Sequence, residues 1–369
     1  MKYLGYVQID TISVVNRAHH HTLWTRYPGY SCSMMDDLWK DRLIFEYWAH
    51  GASIIPLADF NYYLPLINNY PWGNKRLSAM EEKYKHTIQK VYERIEKEGP
   101  LKSSDFKSDK GKRGDGWWEW KPAKTALEIL YWKGKLMVDR REKFQKVYDI
   151  TSRVLPEKMN LKVPPEKKIG NFFTEKALSN LGIAELPDIY NYIRAVPREI
   201  LQDSIDQMLK RGKVVELKIP GNTKTYFCLT ENINENTTIY SSAQLNIINP
   251  FDNFVINRNR LKTWFDFEYQ LECYLLEKKR KFGYFALPLF YQNKFVGRMD
   301  CKVFRKKKTL MIRQLSFEKK CKPGHRFINT FRHELRNFAD FNNCKNIEIN
   351  SVKPVKYKKA IITEIGRIL

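Results

Sequence analysis

The chain has 369 residues, of which 43% are hydrophobic and 14% aromatic, so it is long enough for two or more domains and its composition excludes intrinsic disorder. Its formal net charge of +24 would repel itself unless the partner is a polyanion, and nucleic acid is the usual one. The first residues lack a secretory apolar segment, and we find no long apolar run or basic amphipathic helix, which argues against a membrane protein and favours the cytoplasm.

Cysteine and histidine spacing predicts neither a metal site nor a disulfide framework. The six cysteines are scattered without a Cys-x-x-Cys pair. His19, His20 and His21 are consecutive, and neighbouring side chains diverge on a helix or a strand, so they cannot converge on one ion. We therefore predict no metal and no cofactor.

The first predicted element is a β-strand over residues 6–11, where polar and apolar side chains alternate. On a strand, Gln8 and Asp10 project from one face, whereas Val7 and Ile9 point into a core. A carboxylate beside a neutral amide can orient and activate water or balance a developing cation. We therefore select Gln8 and Asp10 as candidate catalytic residues. The alternative is an ordinary solvated strand face.

The remainder of the first 76 residues is predicted to mix short helices and strands. The patterns indicate a short helix ending at His19, a strand over residues 23–26 and a helix over residues 36–50. A charged helix over residues 78–98, ended by Gly99-Pro100, would begin the next unit.

The middle of the chain contains one pattern twice: a helix, a glycine stop, a strand, a tight tip and a return strand. The helices are predicted over residues 122–132 and 198–210, and the tips at residues 139–143 and 220–222. This order is typical of the wing half of a winged helix-turn-helix. The alternatives are two unrelated helix-hairpin units, or winged helices that bind protein instead of DNA.

Two further features of the sequence concern contact with DNA. Trp117, Trp118 and Trp120 either stack on bases or belong to a core. Basic residues at two predicted hairpin ends favour phosphate contact, which positions a protein without specifying sequence: Arg140, Arg141, Lys143, Arg305, Lys306, Lys307 and Lys308.

After residue 240 the periodicity changes to short alternating runs, which predict a small antiparallel sheet or barrel interrupted by a helix over residues 325–341. The predicted class is α+β, with tandem winged helix-turn-helix units followed by a C-terminal β-barrel-like domain. We refer to residues 1–76, 77–156, 157–239 and 240–369 as the first, second, third and C-terminal units.

Motifs in all four units resemble the AlkZ/AlkX (YcaQ-type) winged-helix DNA glycosylases. They span nearly the whole chain in the expected order and lie at residues 7–10, 17–19, 46–53 with Pro56, 117–121, 148–150, 153–156, 249–253, 283–288 and 297–300.

The resemblance implies three tandem winged helices, a C-terminal barrel and a monofunctional enzyme that excises N-alkylated purines, including those in interstrand crosslinks. Gln8 and Asp10 match the Gln-x-Asp branch of the family's catalytic motif. Arg17 and His19 would lie in the same cleft and hold the DNA backbone. The implied setting is a monomer acting on damaged double-stranded DNA in a bacterial-type, nucleoid-associated cytoplasm.

One departure from the family concerns the start of the chain. Family members carry a few dozen residues before the catalytic strand, whereas Met1 stands only seven residues before Gln8. We therefore expect a truncated or abbreviated first unit with an apolar surface around Leu23, Leu43 and Phe45.

Two other functional classes remain open from the sequence. A non-enzymatic winged-helix DNA-binding or transcription regulatory protein would explain the charge and the hairpins, but it gives no role to Gln8 and Asp10. An RNA- or ribosome-associated protein shares the charge but lacks a recognisable RNA module.

Overall fold

The computed structural model describes residues 1–106, 122–233 and 244–366. Three small three-stranded sheets precede one six-stranded sheet, and helices surround them. The structure is thus a mixed α+β fold, as predicted. Trp117, Trp118 and Trp120 lie outside the described residues.

The first unit contains one antiparallel sheet in the order β1-β3-β2. Its elements are β1 (Val7–Gln8), α1 (Ala18–Trp24), α2 (Ser33–Lys40), β2 (Ile44–Trp48), β3 (Ala52–Pro56) and α3 (Phe60–Asn68).

Several predictions for this unit were wrong. Helix α1 begins near His19 instead of ending there. It extends to Trp24, so the strand predicted over residues 23–26 does not form, and the helix buries Thr22 and Leu23 on one side. The helix predicted over residues 36–50 ends at Lys40. The chain turns at Arg42 with φ of 53°, and the aromatic and β-branched run that follows suits strand β2.

The expected apolar surface is also largely wrong. Leu23 and Phe45 are buried with 8% and 1% exposure, and only Leu43 is exposed, at 54%. The third unit covers the start of the chain. The Tyr192 hydroxyl donates to the Leu4 carbonyl at 2.7 Å, and the Asn180 amide donates to the Tyr3 carbonyl at 2.7 Å.

The second and third units each contain a three-stranded antiparallel sheet whose first strand pairs with the last, in the orders β4-β6-β5 and β7-β9-β8. The second has α4 (Lys75–Lys83), α5 (Lys85–Glu98), β4 (Leu101–Lys102), α6 (Pro122–Trp132), β5 (Leu136–Glu142), β6 (Gln145–Ile150) and α7 (Thr151–Val154). The third has α8 (Glu166–Leu181), β7 (Ile183–Ala184), α9 (Leu186–Tyr192), α10 (Arg198–Lys210), β8 (Val214–Lys218) and β9 (Thr225–Leu229).

The predicted helices over residues 122–132 and 198–210 are confirmed, as are the hairpins that follow them. The tip of the first hairpin is narrower than predicted. Strand β5 continues to Glu142, and the turn consists of Lys143 and Phe144, both with positive φ. The predicted charged helix over residues 78–98 is divided into α4 and α5 at Tyr84.

The C-terminal unit is built on an open six-stranded sheet, so the predicted barrel is wrong. Strands β10 to β13 are antiparallel, but β14 and β15 both pair with β13 in parallel, and this sheet does not close on itself. The elements are β10 (Leu245–Ile247), α11 (Arg258–Phe265), β11 (Ala286–Tyr291), β12 (Lys294–Phe304), β13 (Thr309–Phe317), α12 (His325–Phe341), β14 (Asn346–Ile349), β15 (Val352–Lys353) and α13 (Lys358–Gly366).

Two large hydrophobic cores hold these units together. One is a single cluster of buried side chains that come from between Leu4 and Leu229 in the sequence, so it joins the first three units. The other lies in the C-terminal sheet and helix α12, and it includes Val15 from the segment that follows β1. The chain between β1 and α1 thus connects the two cores.

A buried ion pair also fixes the first unit to the C-terminal unit. The two terminal nitrogens of the Arg26 guanidinium group, Nη1 and Nη2, contact the carboxylate of Asp252, whose side chain is fully buried. A buried carboxylate without its cation is costly, so this pair makes the orientation of α1 on the C-terminal unit specific.

We expect Arg26→Ala to lower the free energy of unfolding by about 3–5 kcal/mol, because it leaves the Asp252 carboxylate buried and unpaired. Urea unfolding measures the loss. The control is Lys262→Ala, which removes an exposed pair with Glu268 and should cost less than about 1 kcal/mol. Equal losses in the two variants would contradict a stabilising role for Arg26.

Candidate active site

Gln8 lies on β1 at the edge of the first sheet, and Asp10 follows two residues later, beyond the end of the strand. Val7 and Gln8 pair with Ile54 and Ser53 of β3, and the Ile9 amide donates to the Ala52 carbonyl at 2.8 Å. The strand predicted over residues 6–11 is therefore too long, since pairing with β3 ends at Gln8. The predicted alternation of burial is confirmed from Val7 to Asp10: Val7 and Ile9 are buried, whereas Gln8 and Asp10 are half-buried.

Gln8 presents an unused acceptor on this face. Its Oε1 is buried and has no hydrogen-bond partner among the described residues. Gly51 packs directly against the amide, since a Cβ atom at this position would lie 3.3 Å from the Gln8 Cδ and Nε2 atoms. The carbonyl oxygen is therefore held in place with its capacity to accept a hydrogen bond unused.

Asp10 is an ordered carboxylate. Its Oδ1 accepts a hydrogen bond from the Ile12 amide at 2.7 Å. Burial raises the pKa of Asp10, while this hydrogen bond and the positive charge of Arg17 act in the opposite direction. A carboxylate that is partly desolvated and fixed by a backbone amide can stabilise a nearby cation or orient water.

The segment after Asp10 is docked on the C-terminal unit. The Val303 amide of β12 donates to the Val14 carbonyl at 2.8 Å, and the Asn342 side chain accepts from the Asn16 amide at 2.7 Å. Arg305 donates to the Ser13 carbonyl at 2.8 Å. Arg305 therefore supports the segment beside Asp10.

The hairpin tip of the second unit meets this segment from the other side. The Phe144 ring lies between two guanidinium groups, with the Cζ atoms of Arg17 and Arg141 at 3.4 and 4.4 Å from its centroid. Arg141 in turn makes two hydrogen bonds, of 2.7 and 2.8 Å, to the fully buried carboxylate of Glu46 on β2. The hairpin tip is thus attached to the first unit through Glu46, and it holds the Arg17 side chain in place.

His19 lies close to this stack but does not carry a charge. Its ring is stacked at 6.1 Å on Phe144, and its Nδ1 atom is buried without a partner among the described residues. Burial lowers the pKa of His19 well below its usual value, and the neighbouring His20, Arg141 and Arg17 lower it further. His19 can therefore offer a hydrogen bond at neutral pH, but not a positive charge.

The structure brings only some of the predicted basic residues near Asp10. Arg17 and Arg141 both contact Phe144, and Arg305 binds the segment between Asp10 and Arg17. Burial lowers the pKa of Arg17, and the charges of the nearby Arg141 and Arg305 lower it further. Arg140 is occupied by Asp139 and Glu142. Lys306, Lys307 and Lys308 are exposed at the turn between β12 and β13, and Lys143 is exposed at the hairpin tip.

A cleft of about 730 Å³ lies between the first unit and the hairpin of the second. Its lining includes Ile9, Arg17, His19, Lys143 and Phe144. Neither Gln8 nor Asp10 lines it, and Ile9 belongs to the opposite face of the strand. The catalytic candidates therefore lie outside this cleft.

Three residues around the candidate site had no role assigned from the sequence: Glu46, Gly51 and Phe144. The one sequence signal was Glu46, a charged residue inside the apolar run of β2, which indicates a buried partner. The contacts of Gly51 and Phe144 depend on the tertiary fold.

The described part of the chain contains no group of three His, Cys, Asp or Glu residues that could hold a metal ion. Over the same residues, no helix is both long and apolar enough to cross a membrane.

Comparison with known proteins identifies the family. A family model described as DNA glycosylase AlkZ-like matches residues 1–341. Among solved structures, the chain is similar to the Streptomyces sahachiroi DNA glycosylase AlkZ, with a TM-score of 0.63 and 14% sequence identity, over 95% of this chain and 92% of that chain. The structural similarity supports the fold. Because the family model spans most of the sequence, this chain belongs to the AlkZ-like DNA glycosylase family.

Proposed function

We propose that this chain is a monofunctional DNA glycosylase of the Gln-x-Asp branch that hydrolyses the N-glycosidic bond of cationic purines alkylated at N7 or N3, including purines in interstrand crosslinks. The observation that carries the proposal is the pair of polar side chains in a Gln-x-Asp spacing at the end of β1: the Asp10 carboxylate, fixed by the Ile12 amide, and the Gln8 amide oxygen, which has no partner among the described residues.

The charge of the leaving group accounts for so small a set of catalytic residues. A purine alkylated at N7 is cationic, so it departs as a neutral base and needs no general acid. The site has to stabilise an oxocarbenium-like sugar and deliver water. Asp10 supplies the negative charge and accepts the proton of the water, and Gln8 holds that water through Oε1.

The position of Gln8 and Asp10 outside the inter-unit cleft suits the proposed substrates. Enzymes that act on bases usually extrude the target nucleotide into a closed pocket. A purine that is tied to the opposite strand cannot be extruded in this way. Gln8 and Asp10 do not line the inter-unit cleft, so the proposed reaction does not require the damaged base to enter it.

We also propose that the three small sheets belong to winged helix-turn-helix units that bind duplex DNA. Each sheet has its first strand paired with its last, and each ends in a hairpin. Phosphate contacts are proposed for Arg17, Lys143, Arg305, Lys306, Lys307 and Lys308, with a hydrogen bond from His19. Arg140 and Arg141 are engaged by carboxylates, so we assign them to holding the hairpin. A monomeric state and nucleoid association in the cytoplasm remain predictions.

We expect Asp10→Asn to reduce excision of N7-methylguanine on the order of 100- to 1000-fold while DNA binding is retained, because the neutral amide cannot balance the sugar cation. Single-turnover excision and fluorescence anisotropy measure the two properties. The wild-type protein should also unhook a nitrogen-mustard crosslink and should leave uracil in place, because uracil departs as an anion.

The pH profile gives a second readout of the same residue. Excision requires ionised Asp10, so the rate should fall as pH decreases through the pKa of Asp10. Since burial raises this pKa, the fall should begin at a higher pH than for a solvated aspartate. Rapid removal of uracil, or full activity of the Asp10→Asn protein, would contradict the mechanism. DNA binding without any excision would favour the regulatory alternative.

We expect Gly51→Ala to slow excision roughly 10-fold without weakening DNA binding, because the added methyl group at 3.3 Å displaces the Gln8 amide from its position. The control is Gly324→Ala, since a Cβ atom at Gly324 meets no atom within 4 Å. Equal excision rates in the two variants would show that the exact placement of Gln8 is unimportant.

Lys143 is expected to contact a phosphate, because it is exposed at the hairpin tip and forms no ion pair with any described residue. Lys143→Ala should reduce the slope of log K against log salt concentration by about 1. Lys320→Ala removes the same charge from an exposed pair with Asp266 and should leave the slope unchanged. An unchanged slope for Lys143→Ala would remove this contact from the proposal.

A further inference from the structure

A loop of the C-terminal unit exposes two large apolar side chains. Tyr274 is 79% exposed and Leu276 is 64% exposed. Tyr274 ends a single 3-10 turn, Glu272–Tyr274, and Leu276 follows two residues later. Neighbouring apolar side chains that are left in water on one protrusion indicate a surface that is covered by a partner.

The loop is fixed in this conformation by its own hydrogen bonds. The Glu272 carboxylate, only 6% exposed, accepts from the amides of Phe282 and Gly283 at 2.8 and 3.1 Å. The Arg280 Nε donates to the Leu275 carbonyl at 2.9 Å. Both ends of the loop are therefore tied together, so little ordering entropy is lost when Tyr274 and Leu276 meet a partner.

The loop and the segment that follows Asp10 are anchored on the same strand of the C-terminal sheet. The Phe285 amide, just after the loop, donates to the Asp300 carboxylate of β12 at 2.9 Å. The Val303 amide, three residues further along β12, donates to the Val14 carbonyl at 2.8 Å, so the two anchors are about 10 Å apart along the strand.

The loop that carries Tyr274 and the segment that carries Asp10 are therefore neighbours. Burial raises the pKa of the Tyr274 phenol, and Cys273 and the Asp10 carboxylate raise it further, in agreement with this placement.

The charge around the loop favours nucleic acid as the partner. Lys278, Lys279 and Lys281 are exposed, and one exposed acidic residue, Glu277, separates them from Leu276. Apolar side chains beside exposed cations suit a duplex, in which the cations contact phosphates and an aromatic ring or aliphatic wedge enters between bases.

We infer that Tyr274 is a substrate-contacting residue that inserts into the duplex beside the damaged purine and stacks on the neighbouring base, with Leu276 packed next to it. This inference rests on the proposed function, since it places Tyr274 next to the nucleotide on which Asp10 would act. Opening one base step in this way exposes the sugar of the damaged nucleotide to Asp10 without extruding the base. The loop would thereby supply the access that an extrahelical pocket provides in other glycosylases.

The test uses the full chain and a duplex with 2-aminopurine next to 2′-fluoro-N7-methyldeoxyguanosine. The fluorine atom destabilises the sugar cation, so binding is observed without excision. Wild-type protein should raise the 2-aminopurine fluorescence as the base step opens. Tyr274→Ala should abolish this rise and slow excision of ordinary N7-methylguanine roughly 10- to 100-fold, the usual effect of losing one aromatic–base stack.

Two matched variants control for folding and for the phenol group. Tyr274→Phe keeps the ring and should retain both the fluorescence rise and the excision rate. Tyr3→Ala removes a tyrosine that is 84% exposed elsewhere on the surface and should change neither. Thermal unfolding should be the same for all variants, because Tyr274 is exposed.

The outcomes separate this inference from the proposed function. A Tyr274→Ala protein with wild-type fluorescence and wild-type excision overturns the inference alone and assigns the exposed loop to another partner. A Tyr274-dependent fluorescence rise in a wild-type protein that excises no alkylated purine supports the inference on DNA contact and overturns the proposed reaction.

Discussion

The ion pair between Glu46 and Arg141 is the contact on which the arrangement around Gln8 and Asp10 depends. Glu46 is a fully buried carboxylate in the first unit, and the hairpin of the second unit brings the guanidinium that neutralises it. Two parallel hydrogen bonds fix direction as well as distance, so the pair sets where the hairpin tip lies. Phe144 at this tip then holds the guanidinium of Arg17, seven residues after Asp10.

Asp10 therefore lies where three parts of the chain meet. The second unit contributes Phe144, the C-terminal unit contributes Arg305 and the Val303 amide, and the third unit supports the start of the strand through Tyr192. A two-residue strand has few hydrogen bonds of its own. Contacts with these neighbours fix the position of the strand, so residues far apart in sequence surround Gln8 and Asp10.

The elements that could be predicted from the sequence are those determined by local patterns. The alternation around Gln8, the helices α6, α10 and α12, and the hairpin of β8 and β9 are all visible as periodicity with a glycine or a turn at the ends. Residues 23–26 and 42–48 were misassigned because burial by other units decides their conformation. The barrel prediction was wrong because β14 and β15 pair with β13 in parallel. No local pattern distinguishes parallel from antiparallel pairing in strands this short.

The same distinction between local patterns and tertiary contacts applies to the candidate site. Gln8 and Asp10 could be proposed as candidates from the sequence because their alternation with Val7 and Ile9 is a local pattern. Arg141 was assigned to phosphate because its sequence neighbours are basic, but its actual partner is Glu46, 95 residues away. Charge counting along a chain identifies the cations and not their counterions. In the proposed mechanism this matters directly, since Arg17 and Arg305 stand near Asp10 and weaken its attraction for a sugar cation. Backbone phosphates that bind these arginines would offset their charge, so binding of the duplex would itself strengthen the catalytic carboxylate.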